Sequence, residues 1–368
     1  MRFSIERSIF LEGILNAISA VSSKSSLPAL EGFLIEANEE LKITGYDLET
    51  GIIVTLEANI DKTGSIIVNA QTLSEIIKKL PDDTVTFSVD DDLKIEIKCG
   101  MSKFNIIGIP ALEFPDLPTI EYKKSIKLPS NLLKSMIKQT VYAVSTNENK
   151  PIHTGCLFEI NGNIINVVGV DGYRLALRRE QLNEEYENTS VVIPGKSLNK
   201  LLRMLDDSDI PVVMNISDKH AIFENENIIF LTRILEGEFL NYKNAIPTNF
   251  PIRAIADVKN FTESIDRASL LINERQRSPI RLNFDKDEVN LLCISPLGRI
   301  EDKILIKSNG GQIEIGFNNK YLLEAFKNTE REEVCLELKD SLSPMVIKPL
   351  EGESFTFLVL PVRLRNEE

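Results

Sequence analysis

Along most of this chain apolar and polar residues alternate in short runs bounded by turn residues. "TVTFSVDDDLKIEIKCG" (84–100) is an example. That period of two predicts half-buried β-strands. Six segments change the rhythm to three- and four-residue steps and predict amphipathic helices: 7–20, 71–80, 130–144, 196–205, 258–277 and 319–328. Three of them follow a short β-branched strand and a polar turn. "IIVNAQTLSEIIKKLPDD" (66–83) recurs as "VVIPGKSLNKLLRMLDDSD" (191–209) and, more weakly, as "IEIGFNNKYLLEAFKNTE" (313–330). Leu73, Leu198 and Leu322 align in these segments, a repeat of about 124–125 residues, the size of one domain. "LKITGYDLE" (41–49), "INVVGVDGY" (165–173) and "VNLLCISPL" (289–297) fall in the same register and align Asp47, Asp171 and Ser295.

Pro-containing connectors, "IPALEFPDLP" (109–118) and "AIPTNFP" (245–251), separate the repeats. The predicted architecture is α+β: three repeated domains, 1–122, 123–249 and 250–368, each with two helices packed on antiparallel sheets. The apolar segment Phe355 to Leu364 completes the third repeat and is expected in the core.

Composition sharpens this picture at two points. The opening "MRFSIERSIF" has no apolar run after its basic residue, and no apolar stretch is long enough to span a bilayer. Cys99, Cys156, Cys293 and Cys335 lie far apart with no CxxC spacing, so reduced thiols in a cytoplasmic protein are expected. The second point is charge. The net charge of -13 counts against a nucleic-acid partner only if it is evenly spread. It is not: the six helix windows hold 14 Lys/Arg against 6 Asp/Glu, leaving the rest of the chain at about -21.

Lys78, Lys79, Lys134, Lys138, Lys196, Lys200, Arg203, Lys259, Arg267, Lys320 and Lys327 all lie off the apolar stripes. Any one of these is explained as a good helix former on a solvated face. Together they fit a polyanion passing along one surface, held by salt-sensitive phosphate contacts that carry no sequence information. Tryptophan is absent and no RRM-type aromatic signature occurs, so base stacking is not expected.

Catalytic chemistry is not legible. His153 and His220 stand alone, without a metal-spaced partner. There is no P-loop, GxGxxG, GxSxG or HExxH pattern. "DDD" (90–92) lacks the glycine and distal glutamate of a calcium loop, and "VDGYR" (170–174) is first a turn signal. Asp47 and Asp171 suggest a carboxylate pair, but the third repeat has Ser295 in that place. No cofactor or metal is expected.

The threefold repeat, with "SSLPALEGFLIE" (25–36), "VVGVDGYRLAL" (167–177), "EGEFLNYKNAIP" (236–247) and "LVLPVRL" (358–364), resembles the bacterial sliding clamp family, the beta (processivity) subunit of replicative DNA polymerase III. The resemblance runs nearly end to end. It implies a DNA-clamp fold in a head-to-tail homodimeric ring, with helices lining the hole and duplex DNA threaded through it. It further implies a non-enzymatic, cytoplasmic and nucleoid-associated protein. Its partners would be the polymerase catalytic subunit, the clamp loader and other proteins carrying a clamp-binding motif. Lys24, Asn147 and Lys150 match loops near DNA, Lys196 matches a lining position, and Arg275 and Arg277 join the DNA-facing set with the helix residues Lys78, Lys79, Lys134, Lys138, Lys200 and Arg203.

The resemblance also implies a hydrophobic pocket for a short motif, a Gln followed by Leu and a terminal Leu-Phe. Carried over, it takes Val170, Gly172, Tyr173, Arg174 and Leu175 from the turn, and Leu240, Asn244 and Ala245 from "FLNYKNA". Leu342 and Pro344 come from "DSLSPM", and Leu358, Val359, Leu360, Pro361, Val362, Arg363 and Leu364 from the final strand. Arg174 and Arg363 are expected to fix a peptide's polar groups. Leu240, Asn244 and Tyr173 depart from residues common in the family, and the tail "RNEE" (365–368) extends past its usual end. Phe104 and Ile106 meeting Leu270 and Leu271 would form the subunit interface. Two other readings remain at this point: a protein-binding scaffold without a DNA role, and an undetected hydrolase or nuclease.

Overall fold

A computed structural model describes residues 1–118, 123–272 and 278–364. Among these, six α-helices occupy the predicted segments: α1 (Arg7–Ala17), α2 (Ala70–Lys79), α3 (Ser130–Val141), α4 (Gly195–Leu201), α5 (Val258–Ser269) and α6 (Asn319–Lys327). Three begin on side chains suited to capping free amides. Asn69 accepts from Thr72 N at 2.9 Å, Asp257 from Asn260 N at 2.7 Å, and Asn318 from Lys320 N and Tyr321 N at 3.0 and 3.2 Å. The α2 C-terminus is closed from outside: Arg7 donates to Ile77 O at 3.0 Å and Lys78 O at 2.7 Å. That placement of a cation on orphan carbonyls also opposes the helix dipole favourably.

The chain forms two compact units, Met1–Lys134 with Lys196–Ile234, and Ser135–Gly195 with the chain from Leu235 onward. The first holds a five-stranded antiparallel sheet in the order Asn59–Lys62, Arg2–Glu6, Thr84–Val89, Lys94–Cys99, Ser102–Ile107. It also holds an eight-stranded sheet, in which Ile228–Arg233 pairs with Thr50–Leu56, with Ile229 opposite Ile53. The second unit is built on a ten-stranded sheet, in which Arg174–Pro194 pairs with Phe355–Val359, Arg174 opposite Val359. In both sheets strands of adjacent repeats are joined edge to edge, which removes exposed backbone edges. The compact units therefore partition the chain differently from the repeats, and the middle repeat contributes to both.

Leu73, Leu198 and Leu322, aligned by the repeat, are all fully buried. In the first unit Phe3 stacks on Phe87 at 5.0 Å and meets Phe10 edge-on. In the second, Phe261 of α5 stacks on Phe326 of α6 at 4.8 Å. Each such buried aromatic is worth about 2–3 kcal/mol of transfer free energy.

The repeat also explains a glycine pair. A Cβ at Gly45 would lie 2.4 Å from Ala17 O, and one at Gly169 only 2.2 Å from Thr140 O. At both places a helix end packs directly on strand backbone, a close approach that only glycine permits. All four cysteines are unbonded; Cys99, Cys156 and Cys293 are buried, and burial pushes the Cys156 thiol up to about 12. No helix is long and apolar enough to cross a membrane among the described residues.

Candidate peptide groove and basic helix faces

The aligned positions Asp47, Asp171 and Ser295 do one job in three places. Asp47 Oδ1 accepts from Glu49 N and Thr50 N at 3.1 and 2.7 Å, and Asp171 Oδ1 from Tyr173 N and Arg174 N at 2.9 and 3.0 Å. Ser295 Oγ accepts from Leu297 N at 3.1 Å. Each side chain closes a tight turn by binding backbone two residues on. Their recurrence is conformational, and no acid pair arises from it.

The second of these turns sits at the end of the last strand. Leu175 pairs with Leu358 in the ladder, Leu360 N donates to Tyr173 O at 2.8 Å, and Val362 N donates to Gly316 O at 2.8 Å. Beneath lies an apolar cluster of Leu157, Val168, Val170, Leu175, Val192, Tyr242 and Leu358, with Phe239 and Leu360 packed against it. Tyr242 is fixed by donating its hydroxyl to Glu159 at 2.6 Å. That anchors the segment carrying Leu240, Asn244 and Ala245. Leu342 lies in a turn closed by Asp340, whose Oδ1 accepts from Leu342 N and Ser343 N at 2.9 and 2.7 Å, and Pro344 follows it into the strand in which Met345 opposes Val359.

The carried-over pocket residues divide by exposure. Gly172, Tyr173, Leu240, Asn244, Ala245, Leu342, Val362 and Arg363 are exposed, while Leu360, Pro361, Pro344 and Leu364 are half-buried. Val170, Arg174, Leu175, Leu358 and Val359 are buried and act as floor and support. Leu364 packs where a side chain on Gly316 would be. Beside Leu240 a cavity of about 490 Å³ is lined by Leu157, Glu159, Ser190, Phe239, Tyr242 and Lys243. The tail 365–368 lies outside the described residues.

Arg174 departs from the sequence-based expectation. It is only 8% exposed and turned inward. Its Nε donates to Asp171 Oδ2 at 2.9 Å, one terminal nitrogen donates to Glu324, and the other to Tyr142 O at 2.5 Å. Its guanidinium lies 4.7 Å from the Tyr321 ring centre and 5.4 Å from that of Tyr142. A buried arginine must be paired and hydrogen-bonded, and these groups satisfy it internally. Burial raises the Tyr142 hydroxyl pKa, so it stays neutral beside this cluster. Tyr173, 61% exposed, stacks on Tyr321 at 5.9 Å with rings 20° apart. Sequence reading missed Tyr142, Tyr321 and Glu324. The only signal for the last two was their i,i+3 spacing on one side of a predicted helix.

Of the DNA-facing residues singled out from sequence, Lys24, Lys78, Lys79, Lys138, Asn147, Lys150, Lys196 and Arg203 are exposed, and Lys134 and Lys200 are half-buried. Arg203 lies in the turn past α4. Several meet carboxylates from distant segments: Lys200 with Asp47 at 2.7 Å, Lys134 with Asp207 at 2.9 Å, and Lys138 with Glu330 at 2.8 Å. Lys78 pairs with Glu75 on its own helix at 3.7 Å, and Lys327 with Asp266 at 3.4 Å. Arg267 reaches Asp302 through Nε at 2.9 Å. Arg275 and Arg277 lie outside the described residues.

Phe104 and Ile106 lie on the outer strand of the five-stranded sheet, Phe104 37% exposed. In the second unit Leu270, 81% exposed, and half-buried Leu271 form the turn after α5. His153 is held edge-on to Phe239 at 5.7 Å, and its pKa is lowered by burial and by Lys150. His220 is likewise lowered by burial and nearby cations. Among the described residues no three His, Cys, Asp or Glu side chains converge as metal ligands.

Three family profiles match the chain in order: the DNA polymerase III beta subunit N-terminal domain over 1–118, its central domain over 127–241 and its C-terminal domain over 243–363. Beta sliding clamps of Staphylococcus epidermidis and Staphylococcus aureus are each 34% identical over 374 residues, covering 99% of both chains. The solved DNA polymerase sliding clamp of Bacillus subtilis superposes with a TM-score of 0.95 at 33% identity, covering 99% of this chain and 100% of that one. A Pseudomonas aeruginosa sliding clamp bound to griselimycin superposes with a TM-score of 0.93 at 27% identity, covering 99% and 100%.

Proposed function

Because the chain belongs to the bacterial DNA polymerase III beta-subunit, or sliding clamp, family, we propose that it encircles duplex DNA as a head-to-tail homodimeric ring and tethers the replicative polymerase to it. It is a non-catalytic processivity factor. The observation that carries this is the full-length match to the family's three domains in order. The repeat-aligned turns at Asp47, Asp171 and Ser295 support three domains, taken as 1–122, 123–249 and 250–368.

In a ring the duplex is retained by topology, so each phosphate contact can be weak enough to slide while dissociation stays slow. The exposed basic residues Lys24, Lys79, Lys150, Lys196 and Arg203, with Asn147, supply that sequence-independent attraction. Arg275 and Arg277 belong to the same set. The pairing of Lys134, Lys138 and Lys200 with acids lowers the net field and favours mobility over tight binding.

The groove at the end of the last strand receives short apolar motifs of the polymerase, clamp loader and other clamp-binding proteins. Exposed Tyr173, Leu240, Leu342 and Val362 over a packed floor suit such a ligand. Arg363, not Arg174, is the arginine available to its polar groups. The outer strand with Phe104 and Ile106, and the Leu270–Leu271 turn, supply the two sides of the subunit contact. A cytoplasmic, nucleoid-associated location follows from the function.

The test is polymerase processivity on primed DNA with Lys196, Lys200 and Arg203 neutralised together, alongside fluorescence polarisation with a labelled Gln-Leu-aliphatic-Leu-Phe peptide. A clamp loses processivity while keeping micromolar peptide binding, about -8 kcal/mol. Full stimulation by the neutralised chain would leave a docking scaffold whose basic helices are only solvated faces.

A further inference from the structure

The exposed wall of the groove and the buried Arg174 cluster are one construction. Tyr173 stacks on Tyr321, the Arg174 guanidinium lies 4.7 Å from the Tyr321 ring centre and 5.4 Å from that of Tyr142, and Tyr142 is itself edge-on to Phe357 at 5.7 Å. The two tyrosines come from different segments, the Asp171–Arg174 turn and helix α6. Besides the ring stack, Arg174 and Glu324, 150 residues apart in sequence, form a polar link between the two segments. Asp171 already supplies one carboxylate to Arg174, at 2.9 Å. A second is therefore not needed to neutralise the charge. What Glu324 adds is a tie to α6: Asp171 and Tyr142 O already hold the guanidinium at Nε and one terminal nitrogen, and Glu324 takes the other, joining the planar group to the helix that carries Tyr321.

We infer that Glu324 is a positioning residue of the peptide groove, pinning α6 to the 171–174 turn so that Tyr173 and Tyr321 stand as a preformed aromatic wall. The inference rests on the docking reading given above. The wall takes a flat side chain of the docking peptide, an aromatic ring or a primary amide, against the exposed face of Tyr173. A wall ordered before binding spares the complex the entropy of ordering it. Helix α6 stays folded on the core without Glu324, because Leu322, Ala325 and Phe326 remain buried, but it loses its ion pair to the turn. Loss of the carboxylate therefore loosens the wall and leaves the fold.

The experiment uses the full chain with all tyrosines replaced by 3-fluorotyrosine and the labelled Gln-Leu-aliphatic-Leu-Phe peptide. Its variants are Glu324→Ala, the isosteric Glu324→Gln, and Leu360→Asp in the groove itself. Peptide affinity is expected to fall roughly tenfold in Glu324→Ala and to be largely restored in Glu324→Gln, which can still accept from Arg174. The fluorine resonances of Tyr173 and Tyr321, assigned through Phe substitutions, should shift and broaden only in Glu324→Ala. Wild-type affinity in a folded Glu324→Ala overturns the inference while leaving the groove in place. So does reduced affinity with both resonances unmoved. Failure of the wild-type chain to bind, or Leu360→Asp binding like wild type, overturns the groove reading and the inference with it.

Discussion

Replacing Asp47 by asparagine isolates a contact that decides how much of the basic helix surface is free. Asp47 Oδ1 closes the turn to Glu49 and Thr50, and Oδ2 accepts from Lys200 Nζ at 2.7 Å. The two side chains are 21% and 24% exposed, so the pair is neither solvated nor fully dry. At 2.7 Å the gross attraction of two unit charges is about 1.5 kcal/mol in bulk water and about 6 kcal/mol at an effective dielectric of about 20. Partial desolvation and the ordering of a long lysine offset most of this, leaving a coupling of about 1–2 kcal/mol, above an exposed pair and below a buried one. Asparagine preserves the turn through its carbonyl, so Asp47→Asn removes the charge alone. Urea unfolding of Asp47→Asn, Lys200→Met and the double variant gives that coupling as a cycle. Because the pair is short and shielded, more than half of it should persist in about 1 M salt. Single-variant effects that add to within about 0.3–0.5 kcal/mol would show the contact to be idle and Lys200 to be an unencumbered surface cation.

Other consequences follow from the same packing and pairing. Gly169→Ala should destabilise by about 1–3 kcal/mol, since the added methyl meets Thr140 O at 2.2 Å; a wild-type urea midpoint would contradict it. Burial opposes ionisation of Asp302, but hydrogen bonds from Arg267 and Ser264 prevail and hold its carboxyl below the usual range. Its contribution is thus complete above the unfolded value near ~3.9 and is lost as pH falls through the lower folded value. Asp302→Asn should flatten the acid limb of the stability profile, measured by thermal melts, and an unchanged limb would refute the linkage. Leu270→Asp should keep the fold, because the side chain is already 81% exposed, yet halve the mass seen by light scattering. A dimer of unchanged mass would remove Leu270 from the subunit contact.

The sequence alone determined the local grammar of this protein. Period-two runs became strands, three- and four-residue steps became six helices, and aligned Leu73, Leu198 and Leu322 became core. The recurrence of Asp47, Asp171 and Ser295 was also visible, because a turn is specified within four residues. The full-length family resemblance was carried by the same local segments. Tertiary structure alone decided which charges survive. Counting by helix window made Lys134, Lys138 and Lys200 free cations, yet their acids, Asp207, Glu330 and Asp47, lie 73, 192 and 153 residues away in sequence. Arg174 likewise looked like a ligand-binding arginine and is instead enclosed by Asp171, Glu324 and two tyrosine rings. The physical reason is one of range. Strand and helix patterns are set by neighbours along the chain, whereas electrostatic partnership depends on separation in space and on burial, which only the assembled sheets fix.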